Sequence, residues 1–349
     1  MQIIISAGGG GTRLWPLSTN ELPKQFTPLF DNESLLLKTY KRLRKSFEAS
    51  QIWITTNQKY VEIIQSILPT EFNPEHIISE PQKRDNFAPI ISSAAIIAKH
   101  TSTAEPLLYV PCDDWLENPT VDDDKFNQAL LAIGKALLTK EFDIVTVGIK
   151  PAFASTQVGY IQIDSEHQPQ VYNKVTKLQT FKEKPNYETA KEYLDSGSYF
   201  WHKHNPSFTF ESLLKNLQIF WPDIVDLIQK VYTDGFISNE DFSKLPKIAI
   251  DPALLEKVQN IGMIGMDVSW NDVGNWEVAH KYLPELASNP NYIQLSGHEN
   301  KAKTQNPNRK VAFVGVSHLL VVESDEGILI IDPTKSAEVK NVAQYFEDR

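Results

Sequence analysis

One cysteine, Cys112, stands among 349 residues, so the chain can form no internal disulfide. Positive charge is also scarce: 34 Lys and Arg against 44 Asp and Glu give a net charge of −10. A nucleic-acid surface needs clustered cations to displace counterions, so no nucleic-acid partner is expected and any polyanionic ligand must be met by a few local cations. No run is apolar enough to span a bilayer, and no membrane partner is expected. The chain opens on Ile3-Ile4-Ile5 without a basic leader or cleavage site, and with its lone thiol it fits a reducing cytoplasm. No Ser-His-Asp or Cys-His set is evident, which argues against nucleophilic catalysis.

What the chain does have is an ordinary globular composition, 41% hydrophobic and 22% charged. Its length exceeds the usual span of about 100 to 200 residues per domain, so two domains are expected. Short apolar runs alternate with helical periodicity. Strands are expected at Ile3 to Ser6, Ile52 to Thr55, Ile77-Ile78, Leu107 to Pro111 and Ile144 to Ile149, and helices at Ser34 to Phe47, Asn57 to Leu68, Phe87 to His100 and Lys125 to Leu138. Such alternation predicts a parallel sheet covered on both faces. Further on come strands at Gly159 to Ile163 and Lys177 to Glu183, a helix from Tyr187 to Asp195 closed by Gly197, and more helices up to Tyr282. Glu285 to Gln305 reads as a polar linker, followed by short strands at Val311 to Val316, Leu319 to Glu323 and Gly327 to Ile331 and a closing helix from Ala337 to Phe346.

The chemistry begins at Ala7-Gly8-Gly9-Gly10-Gly11-Thr12-Arg13, directly after the first strand. An open α/β sheet binds ligands at the carboxyl ends of its strands. Glycines let backbone N–H groups approach phosphate oxygens, and Arg13 adds a planar cation. A dinucleotide loop would need G-x-G-x-x-G running into a helix, which Trp15-Pro16-Leu17 interrupts, and the GK[ST] of a P-loop is absent. Lys24 supplies a second cation a short loop later. Asp113 ends a strand on the same side of the sheet, and Asp272 lies in the turn Trp270-Asn271-Asp272-Val273-Gly274. Two carboxylates together with phosphate oxygens make the donor set that Mg²⁺ prefers.

Gly8-Gly9-Gly10-Gly11-Thr12-Arg13-Leu14-Trp15-Pro16-Leu17-Ser18 followed by Pro23-Lys24-Gln25-Phe26 resembles the signature of the mannose-1-phosphate guanylyltransferases, or GDP-mannose pyrophosphorylases, of the nucleotide-diphospho-sugar transferase superfamily. The likeness continues through Glu80-Pro81 with Arg84-Asp85, the Asp113 region, Phe181 to Pro185, Ser269 to Trp276 and Val311 to Phe346. It implies an α/β fold, a Rossmann-like mixed sheet with helices on both faces over residues 1–283, and a small left-handed β-helix-like domain with a closing helix over 284–349. Self-association is expected through that second domain. The implied reaction transfers GMP from GTP to mannose 1-phosphate with Mg²⁺ and releases pyrophosphate. Since a sugar phosphate is already anionic at neutral pH, the attack on the α-phosphorus needs no dedicated base. By the same resemblance Arg13 and Lys24 are catalytic, Ala7, Gly8, Gly9, Gly10, Gly11, Thr12, Arg13 and Arg84 hold the nucleotide, Asp113 and Asp272 hold the metal, and Gly159, Glu183 and Lys184 hold the sugar phosphate.

Four stretches depart from the family's pattern. Thr156-Gln157-Val158-Gly159-Tyr160-Ile161 replaces T-G-Y-G-Y-I, and Trp201-His202-Lys203-His204-Asn205-Pro206-Ser207-Phe208 replaces W-N-S-G-M-F. Asp114 stands where histidine is usual and Lys83 where glycine is common. Asp114 is expected to be a solvated neighbour of Asp113, and His202 and His204 a surface pair with no metal role. Two alternatives stay open: another sugar 1-phosphate or nucleotide, and a non-catalytic nucleotide-sensing subunit of the same fold.

Overall fold

The computed structural model describes residues 1–156, 158–163, 171–172 and 174–347; Gln157 and the side chains of residues 204 and 205 lie outside the described set. In chain order the first half runs β1 (Gln2–Ser6), α1 (Leu35–Arg44), β2 (Ile52–Asn57), α2 (Val61–Ile67), β3 (Ile77–Glu80), α3 (Phe87–His100), β4 (Pro106–Pro111), β5 (Asp114–Leu116), α4 (Pro119–Leu138) and β6 (Ile144–Ile149). The second half continues β7 (Tyr160–Ile163), β8 (Thr176–Lys182), α5 (Tyr187–Ser196), β9 (Tyr199–Thr209), α6 (Phe210–Phe220), α7 (Val225–Asp234), α8 (Asn239–Lys244), β10 (Ile261–Met266), β11 (Trp270–Asp272) and α9 (Trp276–Ala279). The chain closes with β12 (Tyr292–Leu295), β13 (Lys301–Thr304), β14 (Val311–Val314), β15 (Leu320–Ser324), β16 (Gly327–Ile331) and α10 (Val339–Glu347). Among the described residues no helix is long and apolar enough to cross a membrane.

Among the described residues nine strands form one sheet in the order β3-β2-β1-β4-β9-β6-β10-β8-β7. Side chains alternate across a strand, and β1 shows the consequence. Ile3 and Ile5 enter a core with Leu36, Tyr40 and Phe126 of α1 and α4, while Ile4 enters another with Ile91 and Leu213 of α3 and α6. Strands buried on both faces therefore read as continuous apolar runs.

The sheet is mixed rather than all parallel. β9 runs antiparallel to both β4 and β6, and its first residues also pair with β7. Its sequence, Tyr199 to Thr209, mixes aromatics with His and Lys, so the hydrophobic run that marks the other central strands is missing. In α4 the helix begins at Pro119, earlier than the periodicity predicts, because Pro at the first turn needs no N–H partner.

The polar stretch from Glu285 to Gln305 is not a plain linker, since β12 and β13 lie within it. β12 pairs in parallel with β14 from Tyr292↔Val311, and β13 with β15 from Lys301↔Leu320. Both offsets are 19 residues (311 − 292 and 320 − 301), so the two parallel pairings repeat at one spacing. β16 then folds back antiparallel on β15 as a hairpin. Little of these strands is buried: Ile293, Leu295 and Val314 face outward, and the inner row includes Ala302 and Phe313. A separate core joins this unit to the start of the chain: Leu14, Trp15 and Leu17 pack with Trp276, Leu320, Val322 and Val339.

Candidate active site

The glycine loop leaves β1 at its carboxyl end, and its carbonyls are tied back into the protein. Thr56 Oγ1 donates to Ala7 O at 3.0 Å, Gln25 Nε2 to Gly9 O at 2.6 Å, and the Ser18 hydroxyl to Gly11 O. Among the described residues the backbone N–H groups of Gly8, Gly9, Gly10 and Gly11 make no hydrogen bond. Four unpaired donors on one loop suit an anion. A Cβ on Gly11 would stand 3.0 Å from Lys24 Cγ, so a side chain there would press on Lys24. Arg13 is exposed and makes no side-chain hydrogen bond or ion pair among the described residues.

Lys24 lies beside this loop at the start of a short 3₁₀ turn. Its ammonium is 2.9 Å from Asp113 Oδ2 and 3.2 Å from Asp272 Oδ1, and it donates to Val273 O at 3.1 Å. Burial works to lower the lysine pKa, but the two carboxylates outweigh it and hold the ammonium above its ordinary value. Burial likewise pushes the Asp113 carboxyl up, and Lys24 reverses this, leaving it below the usual carboxylate range. The antiparallel β5–β11 pair brings the two aspartates together from residues 113 and 272. Asp113 and Asp272 thus already share one positive ion. Among the described residues no group of three or more His, Cys, Asp or Glu could hold a metal alone, so further ligands would have to come from substrate and water.

Arg84, expected at the nucleotide, points elsewhere: it donates to Leu245 O and Ser243 O, carbonyls at the end of α8 that have no partner within the helix. Lys83 reaches the loop instead, its Nζ 3.8 Å from where a Cβ on Gly10 would be. Glu80, at the end of β3, also borders the loop, with Oε1 3.1 Å from where a Cβ on Gly8 would be. Burial pushes its pKa up to about 7. Sequence reasoning missed Glu80, Lys83 and Gln25 as loop partners, although Glu80-Pro81 and Pro23-Lys24-Gln25-Phe26 were visible as motifs.

Gly159 lies against Glu183, where a Cβ would stand 2.7 Å from Glu183 Oε2 and would push that carboxylate aside. That oxygen is buried with no hydrogen-bond donor among the described residues, and Lys184 Nζ is 2.8 Å from Oε1. A buried carboxylate oxygen without a donor is costly unless a ligand supplies one. Two expectations fail nearby. His202 is buried, not on the surface: it is 1% exposed, with Nε2 2.8 Å from Thr146 Oγ1 and Nδ1 3.3 Å from Asp251 Oδ1. Asp114 is buried rather than solvated, because the Lys203 ammonium and the Trp270 indole N–H both donate to it.

This geometry sets a loop of free N–H donors beside a carboxylate pair, and the sequence profile of the nucleotidyl transferase family matches residues 2–288. The chain belongs to the nucleotidyl transferase family. Over 355 residues it is 31% identical to the xanthan biosynthesis protein XanB of Xanthomonas campestris pv. campestris, covering 99% of this chain and 73% of that one. It is 32% identical to the mannose-1-phosphate guanylyltransferase of Escherichia coli (strain K12), again covering 99% and 73%. Among solved structures, one described as mannose-1-phosphate geranyltransferase from Thermus thermophilus superposes with a TM-score of 0.82 at 25% identity, covering 99% of both chains. This nucleotidyl transferase is therefore an enzyme that acts on a sugar phosphate. Its resemblance to mannose-1-phosphate guanylyltransferases extends through the C-terminal unit as well as the site.

Proposed function

We propose that this nucleotidyl transferase joins GTP and mannose 1-phosphate into GDP-mannose and pyrophosphate with the help of Mg²⁺. The observation that carries the reading is the Lys24 ammonium held between Asp113 and Asp272 beside four unpaired glycine N–H groups. Gly8 to Gly11 and Arg13 would cradle the triphosphate, with Ala7 and Thr12 at the two ends of the loop. Lys24 would neutralise charge that builds on the α-phosphoryl group and the leaving pyrophosphate. A sugar-phosphate oxygen forms the new P–O bond as the α–β bridge breaks, so positioning and charge supply the catalysis.

Asp113 and Asp272 would hold Mg²⁺ once Lys24 moves off them, since two carboxylates leave room for phosphate oxygens and water. When bound, the metal neutralises the phosphates and aligns them for in-line displacement. Glu80 supports guanine: an ionised carboxylate accepts two hydrogen bonds, and guanine presents N1–H and the 2-amino group side by side. Glu183 Oε2 would take a sugar hydroxyl, and Lys184 would meet the sugar phosphate. Two stacked coils of left-handed β-helix, supported by the 19-residue offsets, would carry the contact for a homo-oligomer through exposed Ile293, Leu295 and Val314.

The test is pyrophosphate release from GTP, mannose 1-phosphate and Mg²⁺, compared with the Asp113→Ala/Asp272→Ala protein. No release above that control overturns the reading. The same assay with other nucleoside triphosphates and hexose or heptose 1-phosphates fixes the substrate pair, and nucleotide binding without any pyrophosphate would instead mark a sensing subunit.

A further inference from the structure

Two departures from the family's pattern, Asp114 and Lys203, touch each other. Both are buried, 5% and 2% exposed, and Lys203 Nζ donates to Asp114 Oδ2. Trp270 Nε1 donates to the other oxygen, Oδ1, at 2.6 Å. The ammonium also sits 5.4 Å from the Phe126 ring centre and 5.9 Å from that of Trp270. Asp114 is therefore gripped from two strands, by Lys203 of β9 and by Trp270 of β11.

Its place in the fold gives that grip a use. Asp114 follows Asp113 directly in the chain, and across the β5–β11 ladder it lies opposite Asp272. Holding Asp114 thus holds the frame on which both carboxylates ride. Stability alone does not account for the pair, because an apolar pair of the same volume is often no less stable than a buried ion pair. Groups that orient metal-binding carboxylates, by contrast, commonly control affinity without touching the ion.

We propose that Asp114, Lys203 and Trp270 form a positioning unit that sets the separation of Asp113 and Asp272 for a divalent cation–triphosphate complex. The proposal rests on the metal-assisted reading above. It makes the altered β9 segment a rebuilt support for the site, with Lys203 and Asp114 changed as one unit.

The experiment measures Mn²⁺ binding in the presence of GTP by water-proton relaxation, using the whole protein. The variants are Asp114→Asn/Lys203→Met, Trp270→Phe and, as control, Asp113→Ala. The double variant leaves no lone buried charge, so it is expected to melt near the wild-type temperature yet bind Mn²⁺–GTP about 10- to 100-fold more weakly. Trp270→Phe removes the N–H donor and shrinks the ring beside Lys203, and is expected to weaken it several-fold. GTP binding in EDTA is expected to stay unchanged in both, which a general loss of structure would not leave intact. Wild-type Mn²⁺ affinity in the folded double variant or in Trp270→Phe overturns the proposal, and if the double variant does not fold, Trp270→Phe decides. Wild-type protein that binds no Mn²⁺–GTP, or an Asp113→Ala control that binds it unchanged, overturns the metal reading and this proposal together.

Discussion

The Lys24 ammonium stands 2.9 Å from the Asp113 carboxylate, inside a site proposed to receive a metal ion. Lysine and metal would compete for the same oxygens, so Lys24 must shift toward the phosphates as the substrate complex enters. Lys24→Met is expected to lower kcat about 10²- to 10³-fold, the usual loss when a donor to developing charge is removed. In protein without nucleotide it should also leave Asp113 and Asp272 without their counter-ion. Added Mg²⁺ is then expected to raise the melting temperature of the variant more than that of the wild type. Steady-state kinetics and thermal melts with and without Mg²⁺ check both outcomes.

Glu80 makes the guanine reading dependent on pH. Its pKa is raised from the ordinary 4.5 to about 7 by burial, so at pH 6 most of it is protonated and at pH 8 most is ionised. Only the ionised form accepts both guanine N–H groups, so KM for GTP is expected to fall as pH rises from 6 to 8. Stability of the free protein runs the other way. A raised folded-state pKa contributes stability fully present below pH 4.5 and lost as pH rises through about 7. Glu80→Gln is expected to flatten both profiles and raise KM for GTP roughly tenfold at pH 8, since hydrogen bonds to a charged group are worth about 1.5–3 kcal/mol. A wild-type pH profile in the Glu80→Gln protein would remove Glu80 from the base site.

Much of this was legible because local chemistry announced it. Ile3 to Ile5 marked a central strand, the glycine run marked the loop after it, and Gly197 closed its helix in the left-handed region at φ 67°. Asp113 and Asp272 were readable as candidate metal ligands, but nothing in the sequence shows the β5–β11 ladder that brings them together. β9 was obscured because its polar residues find partners across the sheet: Lys203 in Asp114, His202 in Thr146. A buried polar residue with a distant partner looks like a surface residue when the sequence is read alone. The same blindness hid Glu80 and Lys83, whose relation to the loop is set by the parallel register of β1, β2 and β3.

The neighbours Lys83 and Arg84 face different parts of the protein. Lys83 is exposed and close to Gly10, whereas Arg84 is bonded to the carbonyls that end α8. Lys83→Ala is expected to raise KM for GTP several-fold with little change in melting temperature. Arg84→Ala is expected to lower stability by about 1–3 kcal/mol, because two carbonyls lose a charged donor, while KM for GTP changes less. Denaturant melts and KM measurements on the two variants give opposite patterns if this division holds.

The C-terminal unit reaches back to the segment that carries the glycine loop. Trp15 stacks on Phe346 of α10 with ring centres 5.3 Å apart and planes 17° from parallel. Ser324 Oγ donates to Pro16 O at 2.7 Å, Trp276 Nε1 to Trp15 O at 2.9 Å, and Asn20 Nδ2 to Glu347 Oε2 at 2.7 Å. Trp15, Pro16 and Asn20 are thus tied to later parts of the chain, and Ser18 beside them anchors Gly11. Phe346→Ala removes a partly exposed ring, so the stability loss is expected to stay near 1 kcal/mol, in the range of an aromatic pair. Its larger effect is expected on the loop: KM for GTP should rise several-fold with KM for the sugar phosphate unchanged, because Glu183 and Lys184 lie just after β8, away from this contact. Equal increases in both constants would mean that the C-terminal helix stabilises the whole enzyme and does not brace the nucleotide loop.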